Sequence, residues 1–140
     1  MAIERTLALI KPDAVESKIE GDVIAMISKS GLAILQIKKV HLTQAEAALF
    51  YAVHDGKPFF ADLTSFISSG SLYALALEGE NAVVAWRTLM GATNPADAAE
   101  GTVRKRFGKA INRNVVHGSD SVENARIEMG IFFSELEYVK

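Results

Sequence analysis

A chain of 140 residues that is 49% hydrophobic and 23% charged is long enough to bury one apolar core and too apolar for intrinsic disorder. Its 15 basic and 17 acidic residues leave a net charge of -2, which excludes a global field for nucleic acid or anionic membrane and requires any anion site to be local. Cysteine is absent, which excludes disulfides, thiolate nucleophiles and Cys-based zinc sites together and suits a reducing, cytoplasmic setting.

Glu4 and Arg5 precede a short apolar run, a pattern unlike a secretory signal. The run over 6–10 predicts a first strand that stops at Lys11-Pro12, because proline cannot donate to a ladder. Asp13, Ala14 and Val15 form a turn or short helical start. Over 21–30, Val23, Ile24 and Ile27 recur at helical spacing until Gly31 closes the element. The β-branched Ile34, Ile37 and Val40 predict a second strand over 33–42. Thr43 and Glu46 then form a capping box for a helix ending at His54-Asp55-Gly56. A further short helix is expected over 59–68, a strand over 71–77, and a helix over 81–90 that Gly91 terminates. The uncharged stretch 63–77 is broken by Ser, Thr and Gly and falls short of the roughly 18 apolar residues of a membrane span. Residues 92–113 are loop-like, punctuated by Asn94-Pro95, Gly101 and Gly108, with one helical turn at 103–107. A short last strand at 115–116 leads to a helix presenting Val122, Ala125, Met129 and Phe132, for which Asp120 and Glu123 predict a second capping box. The resulting β-α-β-α-β-α-β-α order suits either a doubly wound parallel sheet or a split β-α-β arrangement on an antiparallel sheet, and pattern alone does not separate them.

Several phosphate chemistries are excluded by missing signatures. There is no G-x-x-x-x-G-K-[ST] loop, no protein-kinase catalytic loop, and no metal-ligand spacing among the three histidines. What stands out is Arg104, Lys105, Arg106, Lys109 and Arg113, five cations within ten residues, leading directly to Asn114, His117, Gly118, Ser119 and Asp120. Imidazole has an unperturbed pKa of about 6.5, so near neutrality it is largely uncharged and nucleophilic. It can attack phosphorus if cations neutralise the non-bridging oxygens and an acceptor holds its other nitrogen. Glu128, on the following helix, is the acidic residue best placed for that. His41 and His54 close a strand and a helix, where a structural role is expected. Lys11 sits before a proline turn, where α/β enzymes present charge to ligands. Phe59 and Phe60 read as core aromatics or as a stacking surface for a nucleobase.

Four separated motifs resemble the nucleoside diphosphate kinase family: Glu4-Arg5-Thr6-Leu7-Ala8-Leu9-Ile10-Lys11-Pro12-Asp13-Ala14-Val15; Phe50-Tyr51 through His54 to Lys57-Pro58-Phe59-Phe60; Gly91-Ala92-Thr93-Asn94-Pro95-Ala96-Asp97; and Asn114-Val115-Val116-His117-Gly118-Ser119-Asp120-Ser121. The resemblance spans nearly the whole chain and implies one domain over 1–140 with an α+β, ferredoxin-like fold, a four-stranded antiparallel sheet covered by helices. It implies a ping-pong transfer of the γ-phosphate of ATP to nucleoside diphosphates through Nδ1 of His117, with Glu128 orienting the ring and Ser119 beside it. Lys11, Arg87, Thr93, Arg104 and Asn114 are expected to contact phosphates and ribose, Tyr51 to lie close to the phosphate, and Phe59 to stack on the base. Mg2+ is expected to bridge the nucleotide phosphates, with Asp120 reaching it through water. A homo-oligomer, tetramer or hexamer, is implied, with no membrane and no required nucleic acid.

The chain departs from the usual family pattern at Lys105-Arg106, which make the long loop unusually basic, at Trp86, where a smaller residue is common, and in its short C-terminus. Two other classes compete with an enzyme: a nucleic-acid-binding regulator, supported by the basic loop alone, and a ferredoxin-like metabolite sensor, which has no use for the His117 neighbourhood. Steep salt dependence on long DNA or RNA identifies the first. Absence of a covalent intermediate identifies the second.

Overall fold

In a computed structural model describing residues 2–138, Ile3–Ile10 (β1) forms the central spine, and every residue from Thr6 onward is fully buried. The chain continues through α1 (Pro12–Glu16), α2 (Glu20–Lys29), β2 (Ala33–Val40), α3 (Gln44–Phe50), α4 (Phe60–Ile67), β3 (Leu72–Glu80), α5 (Ala82–Met90), α6 (Val103–Phe107), β4 (Val116–Gly118) and α7 (Val122–Phe132). The strands lie in the order β2-β3-β1-β4, and every neighbouring pair is antiparallel. That excludes the doubly wound parallel sheet and establishes the split β-α-β, ferredoxin-like α+β arrangement.

Successive β1 side chains point to opposite faces, and helices cover both. Leu7 and Leu9 pack with Phe50 of α3, Ile67 of α4, and Met129 and Phe132 of α7. Ala8 and Ile10 pack with Val23 and Ile27 of α2, Trp86 and Met90 of α5, and Val103 of α6. Double coverage explains why β1 reads as a continuous apolar run and not as an alternation. Each large side chain buried this way contributes roughly 1.5–3 kcal/mol, so the two half-cores clamp the strand that ends at Lys11.

The capping box at Thr43 is present, with Thr43 Oγ1 accepting from the Glu46 N–H at 3.1 Å and Glu46 Oε1 accepting from the Thr43 N–H at 2.8 Å. The second box is not. Ser121 caps α7, its Oγ accepting from the Asn124 N–H at 3.0 Å, while Asp120 accepts instead from Asn124 Nδ2 at 2.6 Å. Extended backbone reaches as far as Ser121, so the cap lies one residue later than the Asp120–Glu123 spacing suggests, and the third helical residue is Asn124, not a glutamate. β3 also continues to Glu80, beyond the expected end at 77, because Glu78, Gly79 and Glu80 pair with Arg5, Glu4 and Ile3. The helix begun at Thr43 ends at Phe50, and Ala52–His54 form a separate 3-10 turn. Among the described residues no helix is long and apolar enough to cross a membrane.

Candidate active site

The site forms where β1 ends beside β4. Between Asn114 and Val116 the backbone makes a γ-turn, with the Val116 N–H donating to the Asn114 carbonyl at 2.8 Å and Val115 at φ +77°. Positive φ is an outlier for a β-branched residue and stores about 1–3 kcal/mol of strain. Two contacts from the first motif hold it. The Lys11 N–H donates to the Val115 carbonyl at 2.8 Å, and Asp13 Oδ2 accepts the Val115 N–H at 3.0 Å. Asn114 is thereby directed at Lys11, whose Nζ donates to its Oδ1 at 2.6 Å, and at the Thr93 carbonyl, which accepts from its Nδ2 at 2.9 Å.

β4 is an edge strand of three residues, and side chains bind each of its carbonyls. Arg104 Nη2 donates to Val116 at 2.8 Å, Trp86 Nε1 to His117 at 3.1 Å and Arg87 Nη1 to Gly118 at 3.3 Å. Arg104 also donates to the Asn114 and Gly91 carbonyls. Exposed Arg87 borders a cavity of about 500 Å3 whose walls include Thr88, Gly91 and Thr102.

His117 pairs with Leu9, so its side chain emerges on the α7 side of the sheet. Its Nε2 lies 3.0 Å from Oε1 of Glu128, an oxygen that also accepts from Ser119 Oγ at 2.8 Å. A carboxylate only accepts, so the hydrogen resides on Nε2 and the lone pair on Nδ1. The Phe50 ring meets the imidazole edge-on at 5.1 Å, and the His117 side chain remains 24% exposed, which leaves it open to a substrate.

The buried cations at the β1–β4 junction favour an anion there. Burial lowers the Lys11 ammonium to about 8, with repulsion from Arg104 and Arg113 reinforcing the shift and Asp13 opposing it. Arg104 is brought down to about 10, chiefly by burial and then by Arg87, and still carries its charge at neutral pH. The buried Tyr51 phenol is pushed up to about 12, mostly by burial and further by the Glu128 charge, so it stays a neutral donor.

Phe59 stands at the head of α4 with 46% of its surface exposed. Ring contacts connect it to His54 at 5.3 Å and His54 to Tyr51 at 6.1 Å. His54, which its position in sequence marks as structural, therefore lies between two expected site residues, with Nδ1 buried and unpartnered. The remaining expected residues separate into two groups. Thr93 is joined to the cluster by its backbone, whereas Asp120 is exposed and its side chain is bonded to Asn124. Sequence reasoning named Arg113 among the cations but not its stack on Phe66, 3.9 Å from guanidinium to ring centre, and gave no role in the site to Asp13 or Trp86. Asp13 and Val115 are 102 residues apart, and no local signal links them.

The sequence model described as "Nucleoside diphosphate kinase" matches residues 4–138. The nucleoside diphosphate kinase of Myxococcus xanthus is 56% identical over 137 residues, covering 98% of this chain and 94% of its own. That of Azorhizobium caulinodans is 54% identical over 139 residues, covering 99% of each chain. The crystal structure of the Aquifex aeolicus nucleoside diphosphate kinase superposes with a TM-score of 0.96 at 39% identity, covering 99% of this chain and 100% of that one. With this likeness added to a carboxylate-held histidine on an antiparallel ferredoxin-like sheet, the chain belongs to the nucleoside diphosphate kinase family, enzymes that exchange phosphate between nucleotides.

Proposed function

We propose that this enzyme runs its exchange through Nδ1 of His117. The Nδ1 lone pair attacks the γ-phosphorus of a nucleoside triphosphate, mainly ATP. The bond from that phosphorus to the β,γ-bridging oxygen breaks, and the diphosphate leaves with the electron pair. A second nucleoside diphosphate then attacks the phosphohistidine with a terminal phosphate oxygen, returning Nδ1 to its starting state. The observation that carries this reading is the 3.0 Å contact between Nε2 and Glu128, which fixes the tautomer with the free lone pair on Nδ1. Ser119 shares that carboxylate and steadies it.

Lys11, Arg104, Arg87 and Asn114 neutralise or bind phosphate oxygens, Tyr51 donates as a neutral phenol, Thr93 and Asn114 take the ribose side, and Phe59 stacks on the base. Stacking carries no edge recognition, so purine, pyrimidine, ribo and deoxyribo substrates are all accepted. Among the described residues no three His, Asp or Glu side chains converge as a cation site. Asp120 accepts one bond from Asn124 and has acceptor capacity to spare for a metal-bound water, which fits Mg2+ carried mainly by the nucleotide. When bound, Mg2+ neutralises charge on the phosphate oxygens.

Residues 1–140 act as one domain, in the cytoplasm, within a homo-oligomer that is a tetramer or a hexamer. The span of the family match over 4–138 supports the single domain, the absence of cysteine suits the cytoplasm, and the oligomer rests on the family resemblance. Incubation with γ-labelled ATP tests the mechanism. Acid-labile, base-stable label on the parent chain, lost in His117→Ala, is the expected result; label that persists in that variant overturns it.

A further inference from the structure

β4 holds the nucleophile, yet it is three residues long, lies at the sheet edge and is entered through the strained turn at Val115. Strained backbone persists only where its surroundings over-determine it. Lys11 and Asp13 hold the turn itself, and Arg104, Trp86 and Arg87 hold the strand that follows it, through the carbonyls of Val116, His117 and Gly118. Two of those donors are the cations assigned above to phosphate. Exposed Arg87 holds Gly118 by one long bond of 3.3 Å, and Arg104 distributes its guanidinium over three carbonyls. Both arginines thus divide their N–H groups between the strand and the phosphate assigned to them.

Trp86 has no such second role. It is fully buried and uncharged, and it has a single donor, which is directed at the main chain of the nucleophile. The contact is close at the pyrrole edge of the indole, at Cδ1 and Nε1. A Cβ built on Gly118 falls 2.7 Å from Trp86 Cδ1 and 2.8 Å from Nε1, so only glycine lets the strand lie this close to the ring.

Resting on the reading of His117 as nucleophile, we infer that Trp86 is a positioning residue for phosphoryl transfer, its indole N–H fixing the His117 main chain independently of the nucleotide. Glu128 sets the rotation of the imidazole, and Trp86 sets where the ring starts. Alignment of this kind acts on the reacting distance, where a displacement of about 1 Å costs on the order of a hundredfold in rate. Loss of one neutral hydrogen bond corresponds to about a three- to tenfold change.

Trp86 is the chain's one tryptophan, so growth on 3-benzothienylalanine replaces this position alone and exchanges the indole N–H for a sulfur that cannot donate. Trp86→Phe is the companion variant. Single-turnover transfer of label from γ-labelled ATP to His117 is measured at saturating ATP, with folding checked by near-UV circular dichroism. The expected result is a three- to tenfold slower transfer in the benzothienyl protein, with the half-saturating ATP concentration unchanged within about twofold. Trp86→Phe shows the same split if it folds, and the isosteric analogue decides if it does not. Transfer at the parental rate, or a change in ATP affinity alone, overturns the inference. A parent that takes no label on His117 overturns the mechanism itself, and the two failures are thus distinguished.

Discussion

Replacing Lys11 with methionine sets the folding stability of the site against its function. The buried ammonium falls from the ordinary 10.5 to about 8, so between those values the unfolded chain binds the proton more readily than the folded one. The resulting penalty on folding is fully present below about pH 8 and is lost as pH rises past the unfolded value. It amounts to about 3 kcal/mol at pH 7 and about 1.5 kcal/mol at pH 9.5. Methionine keeps an unbranched stem and removes this penalty, but it leaves Asn114 Oδ1 without its 2.6 Å partner, at a cost of about 1–3 kcal/mol that does not change with pH. Lys11→Met is therefore at least as stable as the parent at pH 7, and its advantage falls by about 2 kcal/mol by pH 9.5. Phosphate transfer drops on the order of a hundredfold or more, because a preorganised donor to the developing charge is gone. Urea melts at the two pH values and a coupled transfer assay measure both effects. A stability difference that stays constant between pH 7 and 9.5, or grows in favour of the variant, refutes the reasoning.

The same group governs the alkaline limb of the rate profile: kcat/KM of the parent should fall as pH rises through about 8, when free enzyme loses the Lys11 charge, and a flat profile to pH 9.5 contradicts this. Asp13→Ala removes the acceptor of the Val115 N–H and the charge that supports Lys11. Thermal or urea unfolding should show a loss of about 1–3 kcal/mol, and the alkaline limb should move to lower pH; an unmoved limb counts against the coupling. Phe59→Ala should raise KM by about five- to a hundredfold, and similarly for ADP, GDP, CDP and UDP, because a stack worth about 1–3 kcal/mol per base is lost without any edge contact. A loss confined to one base rules that out.

Much of the fold is encoded locally and was legible. Thr6 to Ile10 form a buried strand because five consecutive apolar or small residues run into Pro12, and Thr43 caps α3 because its spacing to Glu46 closes two bonds within one turn. The candidate nucleophile was legible for a related reason. His117 follows a dense local run of cations, and Glu128 lies eleven residues on, within reach across a single strand-to-helix connection. Apolar periodicity indicates which face of an element is buried but is silent about its partner, so only the assembled sheet decided that β1 lies between β3 and β4 and that all pairings are antiparallel. The same holds for the second layer of the site. Lys11 meets Asn114 across 103 residues, Asp13 grips Val115 across 102, and Trp86 reaches the His117 carbonyl across 31. These contacts exist because two half-cores bring β1 and α5 against a strand too short to hold its own geometry, and that constraint arises only once the chain has closed on itself.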